Sequence, residues 1–357
     1  MRPATEVRGH VAPRRMAVVD PRRGATTVAP VAALVALLDP GDLLVVNDAA
    51  TLPASLQIEG EALELRLLQR LQDGAWDAAL LGAGDWRTPT EKRPEPRAVG
   101  VGERLSLVGG LTARIDAKSQ EHPRRVRLVF DQVDAALWRG LYAGGRAVQY
   151  AHLNAPLLLW DVQTAFPGRP WATEAPSAGH ALSWELLLAL RRKGVGVARL
   201  THGCGLSSTG EPKLDRALPV GERYEIPEET VDAIARAHAS CRRVIAVGTS
   251  VVRALESWAQ RGERAGWTTL RIGSAHALQV VDGILSGVHQ EGESHHALLQ
   301  AFAPAWLLAR ATEAAERAGF FNHEYGDLTL LLPARERCVS ASRPRGRARR
   351  SRCPAAA

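Results

Sequence analysis

The segment Asp39-Pro-Gly-Asp-Leu-Leu-Val-Val-Asn-Asp48 limits the possible folds more than any other stretch of the chain. A Pro-Gly-Asp turn leads into four consecutive apolar residues, Leu43 to Val46, and then into two polar ones. The run is short and bounded by turn residues, so it reads as a strand. Apolar side chains on both of its faces need cover from both sides. A strand of this kind sits in the middle of a sheet clad by helices. In open α/β sheets ligands lie beyond the carboxyl ends of such strands, and Asn47 and Asp48 stand at that end.

The chain has 357 residues, enough for a large core and two domains. Its 46% hydrophobic and 23% charged content is that of a globular protein. No apolar run approaches the roughly 18–20 residues needed to span a bilayer, and the Arg- and Pro-rich first thirty residues have no signal-like apolar segment. A cytoplasmic enzyme without a membrane partner is expected. Cys204, Cys241, Cys338 and Cys353 form no C-x-x-C pair, which argues for reduced thiols and against a zinc site or a disulfide framework. No metal is expected. The formal net charge of +7 arises wholly within residues 334–357, which hold eight arginines and one acid, Glu336. That basic tail is expected to be a disordered extension, with non-specific phosphate binding as the alternative. The body it leaves behind is neutral.

Texture divides the rest. Residues 58–150 carry short β-like runs (Ala62–Leu68, Trp76–Leu80, Leu105–Leu107, Leu111–Ile115 and Arg125–Phe130) separated by Gly, Pro and Asp, the pattern of a small antiparallel barrel. Before and after them the pattern is α/β. Strands are predicted at Arg15–Asp20, Val195–Leu200, Arg243–Val247, Leu278–Val281 and Leu328–Leu332. Helices are predicted over Val31–Leu38, Ser183–Lys193, from Ile226 to Ser240, from Ser294 to Phe302 and at Trp306–Ala318. The fold class expected is therefore an α/β main domain, residues 1–57 and 151–333, with an inserted β-barrel domain at 58–150.

Three strand ends carry polar groups suited to a ligand. Val244-Ile-Ala-Val-Gly-Thr-Ser250 is a strand, a glycine and two hydroxyls entering a helix, an anion or ribose cradle. Arg253 and Glu256 follow on one helical face, where a surface ion pair is the simpler reading. Thr201-His-Gly-Cys-Gly-Leu-Ser-Ser-Thr-Gly210 lets backbone amides approach a ligand closely. Cys204 could act there as a nucleophile only if something activates it. Ala175-Pro-Ser-Ala-Gly-His180 is a tight loop, in which a lone histidine is more often structural than catalytic. His289, His295 and His296 lack the i, i+4 spacing of a zincin pair.

The chain order of PGDLLVVND, QTAFPGRP, APSAG, RYEIPEET, RVIAVGTSVVRALES, VVDGILSGVH and FFNHEYGDLTLLL resembles the S-adenosylmethionine:tRNA ribosyltransferase-isomerase family of queuosine biosynthesis over residues 15–332. The resemblance implies an enzyme that moves the ribosyl moiety of S-adenosylmethionine onto 7-aminomethyl-7-deazaguanine in tRNA and isomerises it to give epoxyqueuosine. It implies a soluble monomer with tRNA as partner and S-adenosylmethionine as ribosyl donor. The positions it singles out for catalysis are Asp48, His180, His202 and His289. Those for binding the donor are Asn47, Ser177, Gly179, Gly203, Gly205, Gly248, Thr249, Ser250, Arg253, Glu256, Tyr325 and Asp327.

Four motifs depart from the family pattern. APTAGLHFT stands here as Ala175-Pro-Ser-Ala-Gly-His-Ala-Leu-Ser183, its histidine one position early. LHVGLGTF stands as Leu200-Thr-His-Gly-Cys-Gly-Leu-Ser207, its histidine one position late. NDTR has become Asn47-Asp-Ala-Ala50. NFHLPRSTLLM has become Gly287–Ala297, which keeps His289 and gains Glu291 and Glu293. Two other readings stay open beside the first: an S-adenosylmethionine-using paralogue with a different or small-molecule acceptor, and a binding protein without catalysis.

Overall fold

The computed structural model describes residues 1–7, 14–218 and 221–334. In chain order the strands before the first long helix are β1 (Arg2–Pro3), β2 (Arg15–Asp20), β3 (Ala25–Pro30), β4 (Leu43–Asn47), β5 (Ser55–Gln57), β6 (Glu64–Arg70), β7 (Trp76–Leu81), β8 (Arg104–Leu107), β9 (Leu111–Lys118) and β10 (Arg125–Phe130). Those after it are β11 (Gly196–His202), β12 (Glu222–Glu225), β13 (Val244–Val247), β14 (Ala265–Thr268), β15 (Gly283–Gly287), β16 (Phe321–Asn322) and β17 (Leu328–Leu331). The helices are α1 (Leu34–Leu37), α2 (Asp134–Gly144), α3 (Trp184–Lys193), α4 (Pro212–Ala217), α5 (Glu228–Ala239), α6 (Thr249–Arg261), α7 (Ser294–Leu299) and α8 (Ala305–Arg317).

Strand β4 is an interior strand, fourth of the nine in a sheet ordered β14-β12-β11-β4-β13-β15-β17-β2-β3. All five of its residues are buried. Alternate side chains feed two separate cores, as a period of two requires. Leu43 and Val45 pack with Ile234 of α5 and Leu255 of α6 on one face. Leu44 and Val46 pack with Leu34 of α1 and Leu190 of α3 on the other. Strands β11, β4, β13 and β15 run parallel, so their carboxyl ends share one edge. At the opposite end the buried Asp42 accepts from Arg243, both backbone N (3.0 Å) and Nε (3.1 Å), and so ties the start of β4 to that of β13.

Strands β5–β10 form a second sheet, antiparallel and six-stranded, ordered β5-β6-β7-β10-β9-β8. A bridge between Ile58 and Leu107 joins its two outer strands and brings it close to a closed barrel. Leu65, Leu67, Ala79, Ile115 and Leu128 fill its interior, with Trp76 edge-on to Phe130. The mixed α/β architecture is thus the expected one.

Two local readings need correction. Residues 278–281 are not a strand. The strand is β15, one step later, and it begins and ends on glycine, which disguised it as loop. A side chain at Gly283 would lie 2.8 Å from the Leu331 carbonyl of β17, so the close approach of the two strands requires glycine there. Strands β3, β12 and β14 and helix α2 carried too little periodicity to be predicted. Of the described cysteines, Cys204 is a free thiol and Cys241 is disulfide-bonded, so the expectation of reduced thiols fails for Cys241. Sequence spacing says nothing about which sulfurs meet through space. The basic tail expected at 334–357 lies, apart from Ala334, outside the described residues. No helix among the described residues is long and apolar enough to cross a membrane.

Candidate active site at the carboxyl edge of the sheet

Asn47 closes β4 as a clasp rather than as an exposed donor. Its Oδ1 accepts from the backbone N of His202 (2.9 Å) and of Ala49 (3.0 Å), and its Nδ2 donates to the His202 carbonyl (2.9 Å) and Ser250 Oγ (3.3 Å). One buried amide therefore locks the ends of β4 and β11 and the first turn of α6 together. Asp48 accepts from Thr201 Oγ1 at 2.6 Å, with Arg199 Nε at 3.9 Å. Its backbone carbonyl accepts from Gly168 N (2.6 Å), which docks the 165–172 loop onto this edge.

His202, the last residue of β11, is completely buried. Its Nε2 lies 3.4 Å from Glu222 Oε2, yet neither ring nitrogen has a hydrogen-bond partner. Burial lowers its pKa to about 4, against the pull of Glu222, so the ring is neutral at pH 7. Glu222 accepts from Gly205 N (3.0 Å) and from Arg253 Nη1. Burial alone would raise this carboxyl, but Arg253 and His202 outweigh it and hold it low. Arg253 also donates Nε to the Leu270 carbonyl (3.1 Å) and leaves a buried Nη2 without a partner. The expected Arg253–Glu256 pair does not form. Glu256 instead takes backbone N–H groups from Gln279 (2.9 Å), Val280 (3.0 Å) and Val281 (3.2 Å), which fixes that segment and turns the carboxylate away from the edge.

Gly248 starts α6 at φ +97°, ψ 153°, a conformation open in practice to glycine alone. It brings Thr249 and Ser250 onto the helix start beside Asn47. Ser177 and Gly179 lie on the 177–181 turn, whose Ala178 sits beside Gly248. Gly203 passes close to the Trp171 carbonyl, where a Cβ would lie at 3.0 Å. Cys204 sits among these groups, but burial pushes its thiol up to about 12, so it is not an activated nucleophile.

Beyond β15, His289 Nε2 is 2.9 Å from Ser286 Oγ and its Nδ1 is 3.4 Å from Glu293, with the His295 ring 4.9 Å away. His295 is held at about 4, chiefly by burial and then by His289, with Glu222 and Arg253 also acting on it. The two histidine groups therefore share one field. His180 stacks on Tyr325 (5.5 Å, 17°), its Nε2 3.3 Å from the Val162 carbonyl, while the Tyr325 hydroxyl donates to the Asp161 carbonyl (3.1 Å). Asp327 is buried and accepts from Arg15 N (2.9 Å), Arg15 Nη2 (3.0 Å) and Phe321 N (3.0 Å), which makes it a clamp between β2 and the 321–328 hairpin.

Several residues here escape sequence reasoning. Glu222 lies on an unpredicted strand, and only the fold brings it to His202 and Arg253. Tyr150, Glu174 and Ser207 form a hydrogen-bonded group anchored by Thr173 N to the Cys204 carbonyl (2.7 Å). His152, His323 and Glu324 bring three donor atoms within 4.8 Å of one another. The two imidazoles are stacked face to face (4.5 Å, 21°), so their in-plane lone pairs run side by side and do not converge on one ion.

The model of the family described as queuosine biosynthesis protein matches residues 3–331. The chain belongs to that family. Proteins named S-adenosylmethionine:tRNA ribosyltransferase-isomerase from Acidithiobacillus ferrooxidans and Rubrobacter xylanophilus are similar to it. The first is 34% identical over 332 residues, covering 89% of this chain and 91% of the relative. The second is 31% identical over 304 residues, covering 83% of each. The crystal structure of S-adenosylmethionine tRNA ribosyltransferase from Thermotoga maritima matches with a TM-score of 0.50 at 22% identity, covering 93% of this chain and 95% of that one, and shows the shared fold.

Proposed function

We propose that this chain transfers the ribosyl moiety of S-adenosylmethionine to 7-aminomethyl-7-deazaguanine in tRNA and isomerises it to epoxyqueuosine. One observation carries the reading: the match to the queuosine family over residues 3–331; the unpaired buried nitrogens of His202 and Arg253 support placing the site at the sheet edge. Buried polar groups without partners are costly, and a bound ligand satisfies them.

The roles follow from chemistry. The sulfonium acidifies the neighbouring ribose C5′ hydrogens, so a base is needed there. We assign this role to His289: Glu293 stands behind its Nδ1, and its Nε2, which faces Ser286 Oγ, takes the proton once the donor displaces that hydroxyl. Gly248, Thr249 and Ser250 offer a helix start to the ribose hydroxyls. Gly203 and Gly205 let the backbone come close, and Asp48 and His202 line the same edge. Ser177, Gly179 and His180 belong to the turn whose Ala178 sits beside Gly248, and Tyr325 stacks on His180. Asn47 holds the strand ends in register. Glu256 and Asp327 act through the backbone they fix.

We also read residues 58–150 as a domain inserted between 1–57 and 151–333. The six-stranded sheet lies wholly within Ser55–Phe130, and the nine-stranded sheet draws strands from both sides of it. The enzyme is read as a cytoplasmic monomer.

The test is incubation with S-adenosylmethionine and tRNA bearing the aminomethyl base. Adenine release that requires the tRNA, with epoxyqueuosine in it, is expected. Release that ignores the tRNA overturns the reading and favours a small-molecule acceptor. That second reading draws support from Ala49-Ala50 in place of the family's Thr-Arg and from the neutral body.

A further inference from the structure

A cavity opens beside the edge, and apart from Tyr325 its lining has no role in the assignments above. Its volume is about 20 Å³, and Tyr150, Glu174, Glu324 and Tyr325 line it over an apolar floor of Leu153, Leu157 and Val162. One water needs roughly 10–15 Å³, so the space admits a single small polar group such as an ammonium.

Its chemistry is one-sided. Glu174 accepts from Ser207 N (2.8 Å), Ser207 Oγ (3.1 Å) and the Tyr150 hydroxyl. Glu324 faces His152 Nε2 at 2.9 Å. Among the described residues no arginine or lysine forms an ion pair with either carboxylate. The nearest cations serve other groups: Arg66 lies over the Tyr150 ring (5.8 Å), and Arg14 acts on His180 and Tyr325. Burial works against the Glu324 carboxyl, but His152 and then His323 hold it low, whereas burial raises Glu174, so an incoming cation relieves Glu174 most.

We propose that this cavity binds a primary ammonium group, and that its occupant is the aminomethyl arm of the acceptor base. The occupant rests on the function proposed above. An ammonium brings three N–H donors to a wall built of oxygen acceptors, whereas a sulfonium brings none. Position agrees with this: Glu174 N and Thr173 N both meet the Cys204 carbonyl, two residues along the chain from His202. Burial raises the Glu174 carboxyl to about 7. It can therefore take one proton from the ammonium, leaving a neutral amine whose lone pair is free to bond to carbon.

The full-length protein is titrated by calorimetry with 7-aminomethyl-7-deazaguanine and with its neutral 7-cyano counterpart. The aminomethyl base binds at least about tenfold tighter to the wild type, and Glu174→Gln and Glu324→Gln each cut that preference by roughly tenfold. Both variants keep size and shape, and the wild-type comparison stands even where a variant fails to fold. Equal binding of the two bases, or a preference unchanged in both variants, overturns the proposal. If Glu174→Gln instead weakens S-adenosylmethionine relative to its des-amino analogue and spares the base, the occupant is the donor's ammonium and the assignment falls. Amine preference without tRNA-dependent adenine release removes the proposed reaction and keeps the cavity.

Discussion

Asn47 shows how much one buried amide can settle. It answers the backbone N–H and C=O of His202 at once and reaches Ser250 on a third element. Asn47→Ala leaves a buried N–H and a buried C=O without partners, and is expected to cost about 1–3 kcal/mol for each group left bare. Urea denaturation measures this; an unchanged midpoint means that water replaces the clasp. Titration gives a second expectation. His180, His202 and His295 are each lowered to about 4, first by burial. A depressed histidine binds its proton in the unfolded chain before the folded one. The contribution of these histidines is therefore full above about pH 6.5 and is lost progressively as the pH drops toward 4. Glu174 acts in the opposite sense over nearly the same range, because its raised carboxyl weakens the fold as pH rises from the usual carboxylate range through about 7. The two slopes partly cancel, so Glu174→Gln should steepen the gain in stability as the pH rises through this range. A stability profile against pH in both proteins decides, and parallel curves would refute the assignment.

At the scale of elements, legibility followed hydrophobic contrast. Strand β4 announced itself because all its side chains are apolar and both faces are buried. Helix α3 did so because Ser183 accepts from Leu186 N (3.3 Å) and Gly194 ends it at φ +87°. Strand β12 did not, because Glu222-Arg-Tyr-Glu225 has one fully apolar-facing side chain and is held by its neighbours β11 and β14. With β12 unseen, Glu222 could not be joined to His202, and the charged heart of the edge stayed hidden. The start of α6 was readable, and it carries the element-scale prediction. Gly248→Ala forces a side chain into φ +97°, so a loss of about 1–3 kcal/mol is expected. The helix start also shifts, so S-adenosylmethionine affinity should fall by more than stability alone explains. A variant that binds the donor like wild type would remove the helix start from the donor site.

Over the whole molecule, charge and shape separate. The excess of +7 belongs to residues 334–357, while the remainder is neutral in sum. On the described body several arginines are committed to acids: Arg125 to Asp77, Arg97 to Glu61 and Glu103, Arg243 to Asp42, Arg253 to Glu222. The tail adds eight arginines against one acid, the densest run of cations in the chain. Each phosphate neutralised by an arginine releases counterions, which steepens the fall of affinity with salt by about 0.7–0.9 in log–log slope. Truncation after Ala334 should therefore weaken tRNA binding at low salt and flatten its salt dependence by several such steps. Turnover at saturating tRNA should persist, because none of the residues assigned to the sheet edge lies in the tail. Fluorescence anisotropy across a salt series measures the slope. An unchanged slope would assign tRNA binding to the body alone and leave the tail as a passive extension.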